Sequence, residues 1–131
     1  MTTEGKSEGL LASLSEELAT AVERAGQSIV AVNARRRLPA TGIVWPAAGG
    51  AVVVTADHVV ERDEDITVTL ADGAEVKVTL AGRDPGSDLA VLRHASDSPT
   101  PATLAPAGSV KVGHLVLALG RPGSGAPLAS F

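Results

Sequence analysis

Between residues 66 and 80 the chain alternates apolar and polar side chains with a period of two. Ile66, Val68 and Leu70 are separated by Thr67 and Thr69, and Val76, Val78 and Leu80 by Lys77 and Thr79, the pattern of two half-buried strands. Asp72-Gly73 between them supplies the positive backbone angles of a tight hairpin turn. SIVAVNA (28–34) and ATGIVW (40–45) predict a second hairpin, connected through Arg35, Arg36, Arg37, Leu38 and Pro39. AVVVTADHVV (51–60), opened by Gly49 and Gly50, and Leu89 to Leu92 are more continuously apolar and read as buried strands. The Ser-, Pro-, Thr- and Ala-rich residues 96–109 read as an irregular connection, VGHLVLALG (112–120) as one more strand, and RPGSGAPLASF (121–131) as turn residues.

Ahead of the strands, Leu10, Leu11, Leu14, Leu18 and Val22 recur at spacings of three and four. They predict a helix from Ser7 to about Ala25, stopped by Gly26, whose apolar stripe packs on the domain or on another subunit. Ser13 and Glu16 have capping-box spacing, which allows the regular part to start as late as residue 14. One helix followed by six or seven short strands predicts an all-β antiparallel barrel or sandwich with an N-terminal α-helix.

Composition narrows the function. Charged residues are 20% of the 131, apolar residues 44%, and the formal net charge is −4. This is not the balance of a disordered tail or of a nucleic-acid binder. Trp45 and Phe131 are the only aromatic residues, too few for a base-stacking platform. With no cysteine, disulfides, thiolate nucleophiles and thiolate metal sites are excluded. No apolar run approaches the ~20 residues of a spanning helix, and the start MTTEGKSEG lacks the basic-then-apolar order of a secretory leader, which favours the cytoplasm. The three adjacent arginines read as a solvated loop.

His58 stands at the corner where an apolar strand ends. It could be a satisfied histidine at a core edge, or a base. As a base it needs an acid to hold one tautomer and a nucleophile to deprotonate. Of the nearby acids, Asp57 is its neighbour with a diverging side chain, and Asp84 heads a turn where aspartate bonds its own backbone. Asp88 differs, since it opens the apolar stretch DLAVL, where a carboxylate is costly without a partner. His94 and His114 read as surface positions. A zinc site from the three histidines is disfavoured by spacings of 36 and 20 and by the lack of an H-x-x-x-H pair.

The order of segments, a hairpin, then TADHVV, then ITVTLADGAEVKVTLAGRDPGSDLAVL, then VGHLVLALGRPGS, resembles the first half of the protease domain of HtrA-type (Deg-type) trypsin-like serine proteases, over about residues 28 to 125. The resemblance implies a trypsin-like antiparallel β-barrel, the first of two six-stranded barrels flanking an active-site cleft. On that layout residues 1–26 are a helical segment, 27–95 the first barrel, 96–111 a linker and 112–131 the first strand of the second barrel with its tail. The family's catalytic histidine falls on His58 and its catalytic aspartate on Asp88. The implied activity is endopeptidase cleavage of unfolded or exposed polypeptide, with no cofactor and no metal.

The nucleophile of that family lies in a G-N-S-G-G segment, and Phe131 is reached before one. Gly123-Ser124-Gly125 sits in a proline-flanked turn and is not read as a substitute. The expectation is therefore a protease part that carries base and acid but no nucleophile or oxyanion hole, inactive by itself. Self-association is expected through the helix or through the open edge of the 112–120 strand. The alternative is a non-catalytic barrel that binds or assembles other proteins. Neither reading involves nucleic acid or a membrane span.

Overall fold

A computed structural model describes residues 3–94 and 99–131. Residues 96–98 of the expected linker, and residues 1–2 of the expected helical segment, lie outside the described residues. The helix α1 spans Thr3–Gly26. Six strands follow: β1 (Ile29–Asn33), β2 (Ala40–Ala47), β3 (Gly50–Thr55), β4 (Ile66–Thr69), β5 (Glu75–Asp84) and β6 (Leu89–His94). They close into an antiparallel barrel in the order β1-β2-β3-β6-β5-β4. This is the all-β architecture with one leading helix that the patterning predicts.

Alternation puts one face of each strand inside. Val30, Val32, Val44, Val53, Ile66, Val68 and Leu92 are the largest fully buried side chains. Branched residues suit this interior, because stiff χ1 angles fit the pleat and fill a narrow barrel. Gly42 of β2 completes the packing by being small: a Cβ there would lie 2.8 Å from Val32 Cγ2 and 2.9 Å from Val53 Cγ1. β1 departs from alternation, with Ile29, Val30, Ala31 and Val32 all buried. Its outer face is covered by α1 and by β7 (Ala118–Gly120).

Four expectations are corrected. The helix begins at Thr3 and runs unbroken through Ser13, because the segment contains no proline and a capping-box spacing does not stop propagation once neighbouring turns are helical. Of its apolar stripe, Leu18 and Val22 are half-buried within the chain, and Leu10, Leu11 and Leu14 are exposed, as a stripe shared between the domain and another subunit would leave them. Residues 112–117 are not strand. Only Ala118–Gly120 is, and it pairs with β8 (Leu128–Ser130), a stretch whose residue types predict turns. In the β4–β5 turn Gly73 alone has positive φ, at 88°. Asp72 instead accepts the Ala74 N–H through Oδ1 at 2.9 Å.

Candidate functional site

Strand register brings the two candidate residues together. β3 and β6 are antiparallel, with Thr55 opposite Ala90. Continued past the strand ends, the same ladder sets residue 57 against residue 88, and the Asp57 N–H donates to the Asp88 carbonyl at 3.1 Å. There β3 gives way to a 3₁₀ turn, Asp57–Val59, which turns the next side chain, that of His58, over the barrel rim. Asp88 closes the Asp84–Asp88 turn with φ +57°, a left-handed conformation that aspartate tolerates better than most residues. The turn is set by Asp84, whose Oδ1 accepts the Gly86 N–H at 3.1 Å and whose Oδ2 accepts the Ser87 hydroxyl at 2.8 Å.

The Asp88 carboxylate meets His58 twice. Oδ1 accepts the His58 main-chain N–H at 2.9 Å, and Oδ2 lies 2.7 Å from His58 Nδ1. A carboxylate only accepts, so Nδ1 carries a proton, and in the neutral ring Nε2 holds the lone pair. The His58 side chain is 70% exposed. Among the described residues no hydroxyl is hydrogen-bonded to Nε2.

The His58 main-chain N–H, and after it the Nδ1 hydrogen bond, hold the Asp88 carboxyl below its ordinary value of 3.8. A carboxyl depressed in the folded state stabilises the fold above its unfolded value, and that contribution is lost as pH falls through the lower folded value. Carbon-13 titration of the Asp88 carboxyl is expected to give a midpoint below 3.8, and His58→Ala is expected to return it only part of the way because the main-chain donor stays. A wild-type midpoint at or above 3.8 would contradict the two-point contact.

Asp57 turns away from His58, as its position implies. Its carboxylate is bound by Arg83 Nε, and the Arg83 Nη2 group donates to the carbonyls of Asp57 at 3.2 Å and Val60 at 2.9 Å. Sequence reading misses Arg83, whose only hint is an arginine just beyond Gly82, where β5 carries a bulge. His94 is half-buried at the end of β6 rather than at the surface. His114 is exposed, its Nδ1 accepting the Lys111 N–H at 3.2 Å. Among the described residues no three His, Cys, Asp or Glu side chains converge on a metal position.

The description "Trypsin-like peptidase domain" matches residues 40–131, well over half of the chain. The chain is 41% identical over 70 residues to a probable periplasmic serine endoprotease DegP-like of Halomonas elongata, covering 53% of this chain and 15% of that protein. It is 37% identical over 84 residues to the serine protease Do-like HtrA of Lactococcus lactis subsp. cremoris, covering 63% and 21%. The protein of the same description from Bacillus subtilis is 36% identical over 84 residues, covering 63% and 19%. The chain thus spans about a fifth or less of these relatives' lengths.

Proposed function

This chain belongs to the trypsin-like peptidases of the HtrA type, and from that premise we propose that His58 and Asp88 are the general base and orienting acid of a serine endopeptidase. The observation that carries this reading is the pair of contacts from one carboxylate, 2.9 Å to the His58 main-chain N–H and 2.7 Å to Nδ1. Two contacts fix the ring's position and its tautomer together.

In the proposed reaction His58 Nε2 takes the proton of a serine hydroxyl as the hydroxyl oxygen attacks a peptide carbonyl. The imidazolium that forms is stabilised by Asp88, and its proton passes to the leaving amine. The substrate is polypeptide in an unfolded or exposed segment. The 131 residues hold no G-N-S-G-G segment, so the serine and its oxyanion-hole donors have to come from elsewhere, and the isolated chain is proposed to be inactive. A base and its acid alone lack the groups that supply most of the rate.

A serine-directed fluorophosphonate tests the inactive state. The expected result is no labelling of the 131-residue chain. Stoichiometric labelling that disappears in His58→Ala would show that a hydroxyl of this chain is a nucleophile after all. A second reading, a non-catalytic barrel that binds proteins, draws on the exposed Leu10, Leu11 and Leu14 of the helix and on the exposed Leu115 and Val116.

A further inference from the structure

Among the described residues the His58 side chain is hydrogen-bonded to Asp88 alone, and much of it faces solvent. Its position therefore depends on the backbone beneath it, and that backbone is a weak element. A single 3₁₀ turn has strained hydrogen-bond geometry. The one here closes with Val59 N–H to Ala56 O at 3.3 Å and Val60 N–H to Asp57 O at 3.0 Å, and its N-cap, Ala56, offers no side-chain bond. The turn must be held from outside.

Arg83 holds it. The guanidinium grips the Asp57 carboxylate through Nε and reaches the Asp57 and Val60 carbonyls through Nη2, so both ends of the turn are fixed to β5. The Asp57 side chain is 13% exposed and that of Arg83 38%, so solvent screens the ion pair in part and the three hydrogen bonds fix its geometry. Planar fork geometry lets one side chain serve three acceptors, which lysine cannot copy. Arg83 also directly precedes the Asp84–Asp88 turn and pairs with Ala90. The same residue thus anchors the turn that carries His58 and leads into the turn that carries Asp88.

We infer that Arg83, acting through Asp57, is a positioning residue that sets the His58 backbone relative to Asp88 in the proposed peptidase. This rests on the reading of His58 and Asp88 as base and acid, and the two are separable by experiment. Proton NMR of the chain reports the hydrogen-bonded Nδ1–H of His58 and its exchange with water. In the wild type a slowly exchanging Nδ1 proton, abolished by Asp88→Ala, is expected, and its absence would sink the base–acid reading itself.

In Arg83→Met the barrel amides are expected to keep their shifts while Nδ1 exchange quickens about tenfold, the size that follows when a charge-assisted bond no longer opposes local opening. Arg83→Lys, which retains the charge but not the fork, is expected to fall between the two. Exchange at the wild-type rate in folded Arg83→Met would overturn the inference and leave the base–acid reading intact. If Arg83→Met does not fold, Arg83→Lys decides: faster exchange than wild type supports the positioning role, and an unchanged rate overturns it.

Discussion

Replacing Arg121 with methionine is expected to lower folding stability by about 3 kcal/mol and to detach the β7–β8 hairpin from the barrel. Arg121 is 3% exposed. Its guanidinium donates to the carbonyl of Ile29 at 2.6 Å through Nε, to that of Gly26 at 2.9 Å through Nη2, and to that of Gly125 through Nη1. Its main-chain N–H donates to Thr41 Oγ1 at 3.0 Å. Gly26 is the last residue of α1, so its carbonyl is one of the helix's unmatched acceptors at the negative end of the dipole.

Among the described residues no carboxylate pairs with this cation. Burial of the charge is therefore offset by carbonyls alone, which lessens the net worth of the contact. Methionine fills a similar volume but strands three acceptors, two of them in buried bonds. The remaining loss of about 3 kcal/mol should lower the melting temperature by roughly 10 °C for a domain of this size. Hydrogen exchange should lose protection at Ala118–Gly120 and Leu128–Ser130 before the barrel strands. A variant as stable as the wild type in urea would show the clamp to be idle.

Arg121 also marks the limit of what the sequence reveals. The barrel is legible because each strand has one hairpin partner close along the chain and alternation marks the buried face: Ile66, Val68 and Val78 announce β4 and β5 without outside information, while the β1–β4 and β3–β6 ladders that close the barrel join distant segments. The His58–Asp88 pair is legible for a related reason, since it lies at the end of one ladder, just beyond Thr55 and Ala90. Arg121 binds carbonyls, which carry no residue identity, at separations of 92 and 95 positions. No pattern of side chains reports such a contact. Residues 112–117 fail for the opposite reason. Their apolar run has strand propensity, but a strand exists only where a partner lies alongside, and among the described residues the nearest stretch, Leu128–Ser130, meets only Ala118–Gly120. Arg83 lies between these cases, visible as an arginine at a bulge but silent about the turn it holds.

Asp88→Asn is expected to move the ring proton of His58 from Nδ1 to Nε2. The wild-type carboxylate has two acceptors for two donors, the His58 main-chain N–H and Nδ1–H. An amide of the same shape has one oxygen and one NH2 group. The main-chain N–H is an obligatory donor, so the amide oxygen must face it. The NH2 group then faces Nδ1, which can accept only by giving up its proton. The reverse orientation would set two donors against each other on the main chain. Nitrogen-15 spectra of the folded variant should therefore show the protonated ring nitrogen change from Nδ1 to Nε2, while Asp88→Ala leaves the tautomer unconstrained. In any assembly that presents a serine to Nε2, the switched ring has no lone pair there, and the rate should fall about 10⁴-fold, the scale seen when the acid of a Ser-His-Asp triad becomes an amide. Retention of Nδ1–H in Asp88→Asn would mean that the carboxylate does not set the tautomer, and the proposed role of Asp88 as the orienting acid would go with it.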